Sequence, residues 1–496
     1  MNAVQILACI MIIVILIKHL RKSKNKRFYE LLEQFSSHPR YPLIGNAHML
    51  FGPVDGLLSR FEKIMNLDDR VLYWFGPLPL LYLKKHDDIA VVLNQSSDRD
   101  FLGVTDEWLG MGILNARYEE WKTSRKMLSP AFSSNMLLKY AEVFEKHSLE
   151  FVENLKPVAI SGEEIDVWNW LTKASIDAIS ETSFGVSIQT GGKMGEAFCI
   201  AMHDAVNFMV KRFQYPWLIL PRVNMIYLRM IGKINSIHNV QQYPNTVLKK
   251  KIEDFQNLQR DSNISDHIDT SKAIIDSLVR CSFKSVNVTE TRMRDELLHI
   301  MGAAIETSPL NTSFVMLMLA IHQDIQQKAY DEVSKLETDY GTFAPNDVIN
   351  SMPYLDQCIK ETLRMFSPVI ITTRRIHKDI MLKDNKIIPA NAFVGTFIHF
   401  ANYDPELYKN PEKFDPDHFS KEAVEARPKT SQLSFGYGSR SCIGGKYAML
   451  FNKMLVAYIL RDYHLSTSVK EFTREHIKMD LSIKSKIGYP IKFTSR

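Results

Sequence analysis

The residues best placed to do chemistry lie near the C-terminus, in Ser434-Phe-Gly-Tyr-Gly-Ser-Arg-Ser-Cys-Ile-Gly-Gly-Lys446. Cys442 stands among glycines, with Arg440 two residues before it. The apolar, proline-free run Tyr447 to Leu460 follows at once. That run reads as a buried helix, which puts Cys442 just ahead of a helix N-terminus. Unpaired N–H groups and the helix dipole favour an anion there, so the thiol is expected to ionise readily. Gly436, Gly438, Gly444 and Gly445 let a backbone approach something bulky. A thiolate on such a loop is a soft metal ligand. One thiolate does not make a zinc site, which takes about four ligands. It does suit the axial position of a haem iron, where a thiolate pushes electron density toward O–O cleavage. A lone cysteine is more often a small core residue, so its spacing to the neighbours must decide.

Three other sets of residues carry polar chemistry in apolar surroundings. The helical pattern from Glu296 to Gln323 has Ala303-Ala-Ile-Glu306-Thr307-Ser-Pro309 at its middle. An acid beside an alcohol inside an apolar helix is costly unless something compensates it, and the pair suits proton delivery. Pro309 is expected to kink this helix. Trp121 and Arg125 lie at i, i+4, on one helix face. Glu361 and Arg364 lie at i, i+3 in the helical pattern Tyr354 to Phe366; an exposed pair of this kind is worth little.

The elements around these residues are mostly helical. Residues 165–255 are helical by periodicity, 87–94 form a short helix, and 256–275 read as a polar surface connector. Residues 70–75 and 80–83, split by Gly76-Pro-Leu-Pro79, predict a β-hairpin, and Phe393 to Phe400 is strand-like. The loop 98–116 carries Phe101, Leu102, Val104, Trp108, Leu109, Met111 and Ile113, as a loop does that lines a cavity or covers a core. Five scattered cysteines in 496 residues are no disulfide framework, and the body of the chain fits a reducing compartment. The net charge of +5 is local: six of the basic residues fall between Lys18 and Arg27. This excludes a nucleic-acid surface. The apolar run 3–17 precedes that cluster, with no basic residue before it and no cleavage site after it. It reads as an uncleaved N-terminal membrane anchor with a cytosolic body. The domain reading is an anchor at 1–20, a basic and proline-containing linker at 21–46, and a catalytic domain at 47–496.

Phe435-x-x-Gly438-x-Arg440-x-Cys442-x-Gly444 resembles the haem-binding loop of the cytochrome P-450 family at every fixed position. Glu361-x-x-Arg364 resembles that family's buried structural pair. Pro411 to Phe419 resembles its aromatic, proline-rich segment, with His418 where an arginine usually completes the network. Glu306 and Thr307 fall on its acid–alcohol pair, with Ala304 in place of the usual glycine. The branch that looks most similar contains fatty-acid hydroxylases and their insect relatives.

The resemblance implies a mainly α fold with a small β-rich lobe, preceded by the anchor. It implies haem b with Cys442 as the axial ligand to the metal, and Phe435 shielding that side of the ring. Arg440, Trp121, Arg125 and Arg374 would hold the propionates. Glu306 and Thr307 would be catalytic, in proton delivery. In this branch a glutamate three residues before the acid can form an ester with the haem; Ala303 stands there, so the haem is expected to be held without one. The activity implied is monooxygenation of a lipophilic substrate such as a fatty acid, steroid or xenobiotic, at the endoplasmic reticulum membrane. No flavin or dinucleotide module is present in the sequence, so electrons would come from an NADPH-cytochrome reductase, with cytochrome b5 as a further partner. Lys122, Lys126, Lys446 and Lys453 could meet an acidic partner. Two other readings are a haem-thiolate isomerase or dehydratase acting on peroxides, and a non-catalytic haem- or lipid-binding protein.

Overall fold

The longest helix of the protein, Glu290–Ile321, runs through its centre because its sequence is apolar on nearly every side. Thr289 caps it, its hydroxyl accepting the Arg292 N–H at 3.2 Å. It is the one helix among the described residues long and apolar enough to cross a membrane. Protein covers 83% of that apolar window, so it is a core helix. The computed structural model describes residues 25–496 apart from 43, 100–102, 262–272, 285–287, 337–342, 345–347 and 349. The expected anchor therefore lies outside the described residues, as do Phe101 and Leu102. The expected kink at Pro309 does not interrupt the central helix, which continues through it. Proline there supplies no N–H to the carbonyl of Ile305, and tight packing holds the helix together across the lost bond.

Among the helices packed directly on this axis are Trp168–Phe184, Pro353–Met365 and Gly445–Asp462. Ser134–Ser161 lies across the first and third of them. Aromatic contacts lock the layers, with Phe314 stacked on Phe366 at 4.8 Å and edge-on to Tyr489 at 5.0 Å. Each such side chain, fully buried, contributes about 1.5–3 kcal/mol. Above them sit Gly192–Gln214, Pro221–Met230 and Ile234–Asp261. The last of these extends six residues into the expected polar connector, because Gln256 to Asp261 are compatible with helix and nothing there breaks it. A further helix resumes at Ile274.

The β-rich lobe is built on the expected hairpin. β1 (Arg70–Phe75) pairs antiparallel with β2 (Leu78–Leu83). A three-stranded sheet elsewhere joins β3 (Glu164–Asp166) to the end of the chain. In the lobe, β4 (Ile371–Arg375) is followed by the short pair β5 (Ile380–Met381) and β6 (Ile387–Ile388). β7 (Phe393–Phe397) lies parallel to β2 and antiparallel to β4, giving the order β1-β2-β7-β4. It is shorter than the strand expected, since Ile398–Ala401 turn into helix. β8 (Tyr463–Ser466) completes the C-terminal sheet with β3, and β9 (Ile477–Met479) and β10 (Ile483–Ser485) form a separate hairpin. The last strand, β11 (Pro490–Ser495), lies between β3 and β8. Leu32 and Phe35, from the segment expected to be a linker, are buried against the β-rich lobe.

Candidate active site

The cysteine loop is built of turns and bends and runs into the helix Gly445–Asp462. Gly438 has φ +74°, and a Cβ there would come within 2.6 Å of the Leu93 carbonyl, so only glycine fits. The Cys442 N–H donates to the Phe435 carbonyl at 2.8 Å, which closes the loop beneath the sulphur. The Phe435 ring packs 3.4 Å from where a Cβ on Gly445 would stand, so it lies against the start of the cysteine helix. Cys442 is surrounded by protein and yet open, which places its thiol on the wall of an internal space. Ala303 is open in the same way, in a stretch of the central helix that is otherwise mostly buried. Thr307, one turn further on, is half-buried, and its hydroxyl donates to the Ala303 carbonyl at 2.7 Å.

The expectation of a readily ionised thiol needs correction. Burial pushes the Cys442 thiol up, and this outweighs the Gly444 N–H and the guanidiniums of Arg99 and Arg125, which pull it down. The helix N-terminus alone therefore does not make a thiolate here. A metal cation at the sulphur would, because a coordinating thiol is deprotonated outright.

Arginines converge on this loop. Arg440 is buried, its guanidinium 4.3 Å from the Trp121 ring centroid. Among the described residues it donates to carbonyls, those of Ser97 at 2.6 Å, Ala116 at 2.7 Å and Ile113 at 3.5 Å. Arg374, fully buried in β4, donates to the Ser96 and Thr373 carbonyls and to the Thr372 hydroxyl. Arg125 donates to the Ser441 carbonyl at 2.9 Å. Trp121 and Arg125 share the helix Tyr118–Leu128, as their spacing predicts. Arg99 was not singled out in the sequence, because a single arginine in an irregular loop carries no pattern. It donates to the Arg440 carbonyl at 3.1 Å, and its buried Nε has no partner among the described residues. None of Arg99, Arg374 and Arg440 has a carboxylate in salt-bridge range among the described residues. Burial, followed by the charges of Arg99 and Arg440, presses the charged form of Arg374 far down. Buried Arg374 and Arg440, with half-buried Arg99 close enough to repel both, demand anions. A planar group with a metal at its centre and carboxylates on its edge fits this donor set: the Cys442 thiol would hold the metal, and the guanidiniums would hold the carboxylates.

The loop that frames Arg440 is itself hung on the central helix. The Asp295 carboxylate accepts the Met111 N–H at 3.0 Å, Glu296 that of Ile113 at 2.8 Å, and His299 Nδ1 that of Leu114 at 3.1 Å. Gly110, with φ +70°, leaves room for the Asp295 carboxylate, which a Cβ would strike. Burial pushes His299 down to about 4, so the ring is neutral and can accept. Three polar side chains on one turn of an apolar helix were a signal that sequence reasoning could have used.

The roof is pinned similarly. Trp108 stacks on Phe208 at 5.6 Å. Buried Arg212 pairs with Glu107 and donates to the Val104 and Leu218 carbonyls at 2.8 and 3.0 Å. Of the four lysines expected to face a partner, Lys122, Lys126 and Lys446 are exposed. Lys453 is not: it is buried and pairs with Asp356 at 3.3 Å.

The family described as Cytochrome P450 matches residues 36–491, nearly the whole chain. The chain belongs to the cytochrome P450 family. Relatives of this P450 include Cytochrome P450 4d1 of Drosophila melanogaster, 26% identical, with 93% of this chain and 92% of the relative covered. Cytochrome P450 4g1 of the same fly is 27% identical over 95% and 91%. Cytochrome P450 4c21 of Blattella germanica is 26% identical over 98% and 96%. These agree with the insect branch that the sequence resembles. The P450 fold is mainly helical with small β-sheets, and the protein is a haem-thiolate monooxygenase, an oxidoreductase that uses haem b with a cysteine thiolate as axial ligand.

Proposed function

We propose that Cys442 is that axial ligand and that this P450 inserts one oxygen atom of O2 into a lipophilic substrate, drawing electrons from a membrane-bound NADPH-cytochrome reductase. The observation that carries the assignment is the set of buried and half-buried guanidiniums around the Cys442 loop with no carboxylate in salt-bridge range among the described residues. Bound haem supplies oxygen activation, and the protein supplies position and charge. Arg99, Arg374 and Arg440 would hold the propionates, with Arg125 steadying the loop at Ser441 and Trp121 stacking on Arg440. Phe435 would cover the cysteine side of the ring. Thr307, its hydroxyl anchored on the Ala303 carbonyl, and Glu306 beside it would hold and pass protons where oxygen binds. The Ala303 side chain has no oxygen to esterify the haem, which supports a non-covalent fit.

Residues 1–20 would anchor the protein in the endoplasmic reticulum membrane, with 21–46 leading into the catalytic domain at 47–496. Exposed Trp217, Leu220, Ile226 and Met230 support a second membrane contact at the roof. Lys122, Lys126 and Lys446 would face the reductase or cytochrome b5. The test is substrate oxidation with and without reductase and NADPH, after a screen of fatty acids, steroids and xenobiotics for a spin-state shift. Reductase-dependent oxidation is expected. Turnover of organic peroxides alone would point to an isomerase or dehydratase, and no turnover to a haem- or lipid-binding protein.

A further inference from the structure

Glu306 is buried, and both its carboxylate oxygens are occupied from a distant part of the chain. Lys484 Nζ lies 2.5 Å from one, and the Ser482 hydroxyl donates to the other at 3.2 Å. Lys484 belongs to β10, and Ser482 to the turn between β9 and β10. Asp480 braces that turn: it pairs with Lys484 at 2.9 Å and accepts the Ser482 N–H at 3.2 Å. Asp480 and Tyr489 are the other titratable groups that act on this site among the described residues.

The charge on Glu306 is a contest between neighbours. Burial pushes the carboxyl up and prevails; Lys484 pulls it down, and Asp480 adds to the upward push. Lys484 is likewise held charged against burial by Glu306 and Asp480. Removing one partner of such a pair leaves an uncompensated buried charge, which neutralises instead. Thr307 lies on the central helix about 100° round from Glu306, so a carboxylate drawn to the hairpin is turned away from the alcohol.

We propose that Lys484 is the positioning residue for Glu306, fixing its charge and its direction from the β9–β10 hairpin, so that proton delivery depends on a residue outside the central helix. This rests on the reading of Glu306 and Thr307 as the proton-delivery pair. Its consequence is that a substrate or variant that shifts the hairpin alters proton delivery without touching Glu306 or Thr307.

The experiment is infrared titration of carboxyl groups in the full-length, haem-loaded ferric protein, with Glu306→Gln identifying the band of interest. Wild type and Lys484→Arg should share one Glu306 midpoint. Lys484→Met should move that midpoint up by at least about one unit. The ratio of peroxide to product should rise several-fold in Lys484→Met and return in Lys484→Arg. The same titration in Lys484→Met as in wild type would overturn the proposal. Should Lys484→Met fail to load haem, Asp480→Asn decides with the opposite sign, because losing that negative charge should lower the Glu306 midpoint; an unchanged midpoint overturns the proposal equally. Unchanged coupling in Thr307→Ala would overturn the proton-delivery reading and leave the infrared result to judge Lys484 alone.

Discussion

Two groups of buried arginine in this P450 are built to opposite rules. Arg364 is fully matched: it donates to both oxygens of Glu361 at 2.8 Å and to the Asn402 carbonyl at 3.0 Å, and lies over the rings of Tyr403 and Tyr408. Glu361 also accepts from the Asp415 N–H and meets His418 Nδ1, each at 3.0 Å. Burial pushes Glu361 up, but the hydrogen bonds from Arg364 and His418 prevail and hold it below the usual carboxylate range. Arg374 and Arg440 are as deep in the protein, with Arg99 half-buried beside them, and among the described residues they donate to carbonyls and a hydroxyl. Carbonyl dipoles soften a buried charge but do not cancel it. The first group is complete without a ligand, so it reads as scaffold; the second is complete only with anions, so it reads as a binding site.

The largest effect should come from breaking the matched group. Glu361→Gln leaves Arg364 buried without a counter-charge and should cost about 3–5 kcal/mol, read as a lower urea midpoint with or without haem. Next is the frame that carries the carbonyls of the unmatched group. His299 titrates near 6.5 when unfolded and about 4 when folded. Between those values the unfolded chain holds the extra proton, so stability is full above pH 6.5 and falls as pH drops toward 4, by about 3 kcal/mol in all. His299→Gln, which keeps an acceptor for Leu114, should flatten that part of the urea-midpoint profile.

Arg374→Met should separate the two groups most clearly, because its two effects have opposite sign. Removing an unmatched cation should stabilise the haem-free protein by about 1–2 kcal/mol. It should also speed haem loss to an acceptor protein tenfold or more, the loss of one charged hydrogen-bonded contact. Haem-free protein that is destabilised instead would put Arg374 with the scaffold. The smallest effect is expected from His418→Arg. His418 already faces two acceptors, Glu361 and the Lys409 carbonyl at 2.7 Å, so a longer cation should change the urea midpoint by no more than about 1 kcal/mol.

The same contrast explains what could be read from the sequence. The central helix, the first hairpin and the cysteine helix announce themselves through local periodicity, and the Cys442 loop through fixed spacing. The Glu361–Arg364 pair was legible because both partners lie on one turn. Arg99 and Lys484 were not, since their roles exist only where segments far apart in sequence meet. Lys453 was misread for a related reason: an apolar helix next to a lysine says nothing of Asp356 across the interface. The thiol of Cys442 was misjudged because the helix dipole is a local signal, whereas desolvation depends on everything packed around it.

The central claim is that Cys442 holds the haem iron as a thiolate, and the reduced, carbon-monoxide-bound absorption spectrum tests it most directly. Wild type, and a Cys358→Ala control that alters a buried core thiol, should both show the red-shifted Soret band of thiolate ligation. Cys442→Ala should lose that band, whether or not haem remains bound. A Cys442→Ala protein that keeps the band would contradict the account, because another residue would then be the ligand.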